Sequence, residues 1–158
     1  MSGPADQIAA IDRAERALEL ARFTADDGWA LGSRLREVAG ERQAPVVIEI
    51  YRAGGLTVFA TALEGATSDN ASWAARKIAT ALHFERSSAA VALHLRARGL
   101  KLDDYGLSRD RYAAAAGAVP LRVAGAGCVG AVAVSGLSGM EDHELAIDAI
   151  GWLHRRQA

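Results

Sequence analysis

Two pairs of alternating apolar and polar runs constrain the fold of this 158-residue chain more than any other feature. The runs at residues 46–51 and 56–63 flank Gly54-Gly55, and the runs at 119–123 and 128–135 flank residues 125–127, Gly-Ala-Gly. Alternation places successive side chains on opposite faces of a strand, and glycine tolerates the positive φ of a tight connection. The sequence therefore predicts two β-hairpins.

Helical spacing of apolar residues dominates the rest of the chain. It predicts an N-terminal helix within residues 1–20, a helix after Thr24, a helix over about 70–85, one that ends at Gly99, and a last helix from Glu141 to Arg156. Thr24 and Asp27 have the spacing of a capping box. A short candidate strand at residues 20–23 follows the first helix, and residues 100–116 indicate turns and short helical pieces.

This order of elements predicts a single α/β (α+β) domain over residues 1–158. Its antiparallel sheet of about five strands would be flanked by helices. With 51% hydrophobic and 23% charged residues, the chain is long enough to bury a core without a disulfide or a structural metal. The single cysteine, Cys128, has no partner in the chain and is expected to be buried filler.

Charge and hydropathy argue against two function classes. The formal charge is −1, with no run of like charges, which argues against a nucleic-acid-binding face. No apolar run approaches the roughly 20 residues of a membrane span, and the first residues have neither a basic nor an apolar leader region. We therefore expect a cytoplasmic protein without nucleic-acid or membrane partners.

Two patterns resemble functional motifs but have simpler interpretations. Residues 125–130 match G-x-G-x-x-G, yet Val132 and Val134 continue as a strand where the dinucleotide fingerprint would open a helix, so a glycine turn is favoured. The four histidines lack the short spacings of a metal site, and no metal site is expected.

The segment 69–77, Asp-Asn-x-x-Trp-x-x-Arg-Lys, permits two interpretations. It can be a capped helix in which Trp73 is an apolar anchor and the basic residues are solvated. It can also be a site, because free N–H groups at a helix start, with Arg76 and Lys77 one to two turns along, are able to receive carboxylates or phosphates.

The same segment resembles a known family. Residues 65–77, G-x-T-x-D-N-x-x-W-x-x-R-K, with Phe84 and Ser87-Ser88, and the glycine- and valine-rich run 117–137 followed by Glu141-Asp142-His143, are similar to the haem-degrading-domain-like family over about residues 23–153. The resemblance implies a three-layer, profilin-like or PAS-like domain that forms homo-oligomers, with haem bound by some members. The chain departs from the family pattern at Ser68, His83 and Ala89.

Three functions follow as hypotheses. The first is an oligomeric small-molecule-binding protein that holds haem or another anionic tetrapyrrole non-covalently. The second is a non-enzymatic assembly module with Trp73 and Arg76 at a subunit contact. The third is a small biosynthetic or hydrolytic enzyme around Asp69, His83 and His143, although no catalytic residue can be assigned from spacing alone.

The first hypothesis assigns roles to particular residues. Arg76 and Lys77 would meet the propionates, Trp73 would flank the ring, and His83 or His94 would be the iron ligand. A second group has a pocket-lining or structural role, and it comprises Thr67, Asp69, Asn70, Ser87 and Ser88. Alanine-rich helical faces without dense charge also predict a homo-oligomer.

Overall fold

Two β-hairpins form one antiparallel sheet in the computed structural model, which describes residues 3–158. The strands are β1 (Val47–Arg52), β2 (Leu56–Ala62), β3 (Ala118–Val123) and β4 (Gly127–Ser135), in the order β2-β1-β4-β3. β1 and β4 pair from Val47 opposite Ser135 to Arg52 opposite Gly130. The two predicted hairpins are confirmed. β1 of the first hairpin pairs with β4 of the second, so these two strands lie in the middle of the sheet.

Five helices accompany the sheet. They are α1 (Pro4–Arg16), α2 (Ala25–Glu41), α3 (Ser68–Phe84), α4 (Ser88–Arg98) and α5 (Glu141–Arg156), with a short 3-10 helix at Leu102–Tyr105. The predicted capping box opens α2, since Thr24 Oγ1 accepts from the Asp27 backbone N–H at 3.1 Å and Asp27 accepts from the Thr24 N–H at 2.8 Å. Gly99 ends α4 in the left-handed conformation at φ 64°.

The sheet has four strands, so the prediction of about five was wrong. Of the predicted strand at residues 20–23, only Leu20 forms an isolated parallel bridge, with Val123 beside the edge of β3. The predicted N-terminal helix also ends earlier, at Arg16, and its first two residues lie outside the described part. The helix ends early because Leu20 packs into the core, where it is 1% exposed, and its backbone pairs with the end of β3, with Leu20 N–H donating to the Arg122 carbonyl at 2.8 Å.

Helices cover both faces of the sheet, as the three-layer prediction requires. On one face α2 and α5 bury the larger aliphatic side chains of the strands, among them Ile48, Val132 and Val134. On the other face α3 packs against small residues, namely Ala118, Ala131 and Ala133. α4 and α1 lie outside this layer, where α4 contacts α3 and α1 contacts α4. The predicted α/β class is confirmed.

The glycines at 125 and 127 form a turn. Both have positive φ, 80° and 79°, between β3 and β4, and the chain continues into β4 rather than into a helix. The prediction of a glycine turn between two strands is confirmed. None of the helices within residues 3–158 is long and apolar enough to cross a membrane.

Candidate functional site

The start of α3 is fixed by a second capping box. Thr67 is the N-cap, its Oγ1 accepts from the Asn70 N–H at 3.2 Å, and the Asn70 side chain accepts from the Thr67 N–H at 2.9 Å. Two of the predicted site residues therefore stabilise the helix terminus. Asp69 lies exposed in the first turn, where its charge is favourable to the helix dipole.

One face of α3 lines a cleft of about 550 Å³. We call it the Trp73 cleft, and α3 contributes Asn70, Trp73 and Lys77 to it at intervals of three or four residues, as a single helix face requires. The opposite walls come from α4, from residues 114–116 and from the loop between β4 and α5. The structure thus brings four predicted site residues together there, since Asp69 lines the cleft too.

Lys77 lies in the wall of this cleft and has an internal partner. Its Nζ is 3.2 Å from Asp142 Oδ2 and 3.4 Å from the Val134 carbonyl, and both side chains of the ion pair are almost fully buried. Asp142 also accepts from the backbone N–H groups of Gly136 at 3.3 Å and Leu137 at 3.0 Å. Burial lowers the pKa of Lys77, and the Asp142 charge opposes that shift. This pair ties α3 to the first turn of α5, and Asp142 in turn holds the β4–α5 loop through Gly136 and Leu137.

Arg76 points to the other side of Trp73. Its guanidinium lies 4.1 Å from the centroid of the Trp73 ring, and its Nη1 donates to the Arg109 carbonyl at 3.4 Å. A guanidinium over an indole face is a favourable cation–π contact. The pair lies where the Trp73 cleft adjoins a second cleft.

That second cleft, of about 390 Å³, is strongly basic. We call it the basic cleft. Its polar and aromatic lining consists of Trp73, Arg76, Arg96, Lys101, Arg109 and Tyr112, and no acidic side chain lines it. Within residues 3–158, none of its four cationic groups forms an ion pair. Trp73 and Arg96 line both clefts, so the two are contiguous.

Ser87 and Ser88 are buried and hold elements together. Ser87 caps α4, since its hydroxyl accepts from the Ala90 N–H at 3.1 Å, and its own N–H donates to Glu15 on α1 at 2.9 Å. The Ser88 hydroxyl accepts from the Ala118 N–H at 3.0 Å. Burial raises the pKa of Glu15 in spite of the hydrogen bond from Ser87. Neither serine lines the Trp73 cleft or the basic cleft.

The structure does not bring the histidines into either cleft. His83 lies exposed at the end of α3, edge-on to Phe84 and to Tyr112, whose ring lines the basic cleft. His94 is half-buried on α4. His143 is buried on α5, its Nδ1 has no hydrogen-bond partner among residues 3–158, and burial lowers its pKa. Of Asp69, His83 and His143, only Asp69 lines the Trp73 cleft.

Sequence reasoning missed the residues that face α3 across the clefts. Arg96, Lys101 and Arg109 belong to α4 and to the segment after it, and no local spacing links them to Trp73. Asp142 is 65 residues from Lys77. In the sequence, Asp142 is noticeable only as an acidic residue in the first turn of α5. The helix dipole is enough to explain an acidic residue there, so the sequence did not link Asp142 to Lys77.

Comparison with known proteins places the chain in a family. Residues 23–151 match the model of the family described as haem degrading protein HbpS-like. The chain belongs to the HbpS-like family. A UPF0303 protein of Streptomyces coelicolor is 46% identical to this HbpS-like chain over 147 residues, which is 92% of each protein.

Solved structures agree with this HbpS-like fold. The crystal structure of the Ybr137w protein superposes with a TM-score of 0.87 at 26% identity and covers 96% of this chain and 90% of its own. A PduOC:heme complex superposes with a TM-score of 0.71 at 22% identity, over 82% of this chain and 93% of its own. At that identity, the second likeness shows the fold alone.

Proposed function

We propose that this protein is a homo-oligomeric, cytoplasmic small-molecule-binding protein whose favoured ligand is haem or a related anionic tetrapyrrole, held without a covalent bond. The observation that carries the proposal is the stack of Arg76 on Trp73 between two contiguous clefts, one of which is lined by four cations and no acid. Membership of the HbpS-like family and the haem complex of PduOC favour the same ligand class.

The side chains of the two clefts fit the chemistry of such a ligand. A tetrapyrrole needs apolar and aromatic walls for its ring, and Trp73, Leu93 and Met140 supply them in the Trp73 cleft. Its carboxylates need unpaired cations, and Arg76, Arg96 and neighbouring basic residues supply those. Clefts of roughly 300–1,000 Å³ are the usual size for small-molecule sites. Haem, when bound, would supply an iron centre able to take an axial protein ligand.

The roles of the basic residues differ under this proposal. Arg76, Arg96, Lys101 and Arg109 receive the anionic groups, because each lines the basic cleft without an ion-pair partner. Lys77 completes the wall of the Trp73 cleft through Asp142 and contributes to binding by its position. His83 and His94 stay the candidates for an iron ligand, and His83 is the nearer to the basic cleft through its contact with Tyr112.

Titration with haem, followed by absorbance, tests the proposal. We expect a saturable, stoichiometric Soret shift. Arg76→Ala and Arg96→Ala should each weaken binding by about 1.5–3 kcal/mol, the usual value of a hydrogen bond to a charged group. Arg98→Ala is the matched control, because Arg98 is an exposed arginine of α4 that lines neither cleft.

Metal-free protoporphyrin separates ring recognition from iron ligation. If His83 or His94 binds the iron, its alanine variant should change the Soret position with haem and leave porphyrin affinity unchanged. A non-saturating titration with both ligands would refute the tetrapyrrole assignment.

A second function, a non-enzymatic assembly module, is favoured by one observation. Trp73 is 36% exposed, and Arg76 stacks on it at the surface, so the pair has the composition of an interface hot spot. If Trp73→Ala lowers the oligomer mass and does not alter ligand binding, this second function replaces the first.

A further inference from the structure

The outer edge of β2 has no part in the proposed ligand site. β2 is the terminal strand on its side of the sheet, and its sequence, LTVFATA, contains no charged residue and no proline. Edge strands in natural proteins are usually protected by charges, proline, bulges or a covering element. β2 has a register irregularity at Val58, so the regular part of its edge comprises residues 59–62. An uncharged edge of this kind is suited to pairing with another strand.

Trp29 lies beside this edge and is the most exposed of the large hydrophobic residues described. It is 66% exposed, and its ring contacts Phe59 of β2 edge to face at 5.5 Å between centroids. With Ser33 and Arg36 of α2, it lines a groove of about 800 Å³ that runs along residues 57–61. The groove shares no lining residue with the Trp73 cleft or the basic cleft.

The free backbone groups of the edge are centred on Ala60. Leu63 N–H donates to the Val46 carbonyl at 2.9 Å, and alternation along an antiparallel pair then turns the backbone groups of Ala60 and Ala62 away from β1. Arg36 already donates to the Ala62 carbonyl at 3.3 Å and contacts the Thr61 hydroxyl. Within residues 3–158, the N–H and carbonyl of Ala60 therefore point out from the sheet edge with no strand beside them.

We propose that a second copy of this chain docks here, with β2 antiparallel to the partner's β2 about a two-fold axis at Ala60. The two sheets would then form one continuous sheet of eight strands. Two-fold pairing requires a self-complementary patch, in which each half supplies what the other lacks.

The α2 helix supplies this complementarity. Trp29 lies at the Phe59 end of the edge, and Arg36 lies at the Ala62 end. Antiparallel pairing about Ala60 exchanges the two ends, so each Trp29 comes opposite the partner's Arg36. The contact occurs twice, and each is a guanidinium facing an indole. The small side chains of Ala60 and Ala62 let the strands approach closely, and in the pairing Arg36 would exchange its hydrogen bond to the Ala62 carbonyl for the partner's Trp29, which leaves that carbonyl free to accept from the partner's strand.

This inference rests on the homo-oligomer of the proposed function and specifies one of its surfaces. Cysteine cross-linking tests it at the axis. In a Cys128→Ala background, Ala60→Cys should form an intermolecular disulfide on mild oxidation and run at twice 16.6 kDa on a non-reducing gel. Ala97→Cys, at an exposed alanine of α4, is the matched control and should stay at the monomer mass.

Light scattering tests the same surface without a cysteine. Ala60→Lys puts two like charges together at the axis and should at least halve the mass of the wild-type assembly, whereas Ala97→Lys should not change it. If Ala60→Lys fails to fold by circular dichroism, the cross-link decides. Trp29→Ala should weaken the assembly by at least tenfold in dissociation constant.

The outcomes separate this inference from the proposed function. An assembled wild type that neither cross-links at position 60 nor responds to Ala60→Lys overturns the β2 surface and leaves the oligomer standing. A wild-type mass of 16.6 kDa at tens of micromolar overturns both. The haem titration is independent of either result, because its clefts share no residue with the groove.

Discussion

Replacing Lys77 by methionine tests how much the buried ion pair contributes to the fold. The change keeps the length of the side chain and removes the ammonium, so Asp142, 2% exposed, loses its charged partner and keeps two backbone donors, Gly136 and Leu137. Breaking a buried ion pair costs about 3–5 kcal/mol. Because the two N–H groups still solvate the carboxylate, we expect the lower end, about 3 kcal/mol.

Urea unfolding followed by tryptophan fluorescence measures this loss, and a double-mutant cycle with Asp142→Asn isolates the pair. The two single variants should add to more than the double variant, with a coupling energy of about 1.5–3 kcal/mol. Arg34→Gln is the control, because it removes the exposed Arg34–Glu37 pair at 3.7 Å and should cost less than about 1 kcal/mol. A loss below 1 kcal/mol for Lys77→Met, or additive single variants, would refute the reasoning.

Three further predictions concern pH and packing. Burial raises the pKa of Glu15 above 4.5, so the contribution of its protonated form to stability is complete below pH 4.5 and is lost as pH rises through the folded-state pKa. Glu15→Gln should therefore flatten the dependence of the free energy of unfolding on pH in that range. Urea unfolding at several pH values measures this dependence, and an unchanged slope would contradict the prediction. Burial lowers the pKa of His143 below 6.5, so stability should fall as pH drops below 6.5, and His143→Leu should remove that fall whereas His154→Gln should not. Trp73→Ala should lower the free energy of unfolding by about 2–3 kcal/mol in thermal melts. This is less than the roughly 3–5 kcal/mol expected for a fully buried indole, because Trp73 is 36% exposed. A loss above about 4 kcal/mol would contradict this prediction and give the ring a larger structural role.

Local signals were the reliable part of the sequence. The capping box at Thr24 operates over three residues, and the hairpin turns depend on glycines with positive φ, so both could be predicted before any tertiary contact was known. The fourth helix ends at Gly99 for the same reason. These local signals determine where the helices and strands begin and end, and so their order along the chain.

Long-range contacts account for what the sequence did not predict. The predicted N-terminal helix runs to about residue 20, yet α1 ends at Arg16 and Leu20 is buried beside β3, so long-range packing prevails over helix propensity. Lys77 resembles a solvated cation in sequence, and its partner Asp142 is found only once β4 and α5 are placed. The basic cleft likewise depends on Lys101 and Arg109, which lie in a segment with no clear periodicity.

An alanine-rich contact with the sheet holds α3, the helix that lines both clefts, close to the strands. Ala74 and Ala81 of α3 belong to one cluster with Ala118, Ala131 and Ala133, and all five are fully buried, so at these positions only methyl groups lie between the helix and the strands. Interiors packed at this density leave no slack for an added carbon. A change such as Ala133→Val would therefore displace α3 away from the sheet as a unit, together with residues 69–77. Such a change at the sheet would alter the width of the Trp73 cleft without changing any side chain that lines it.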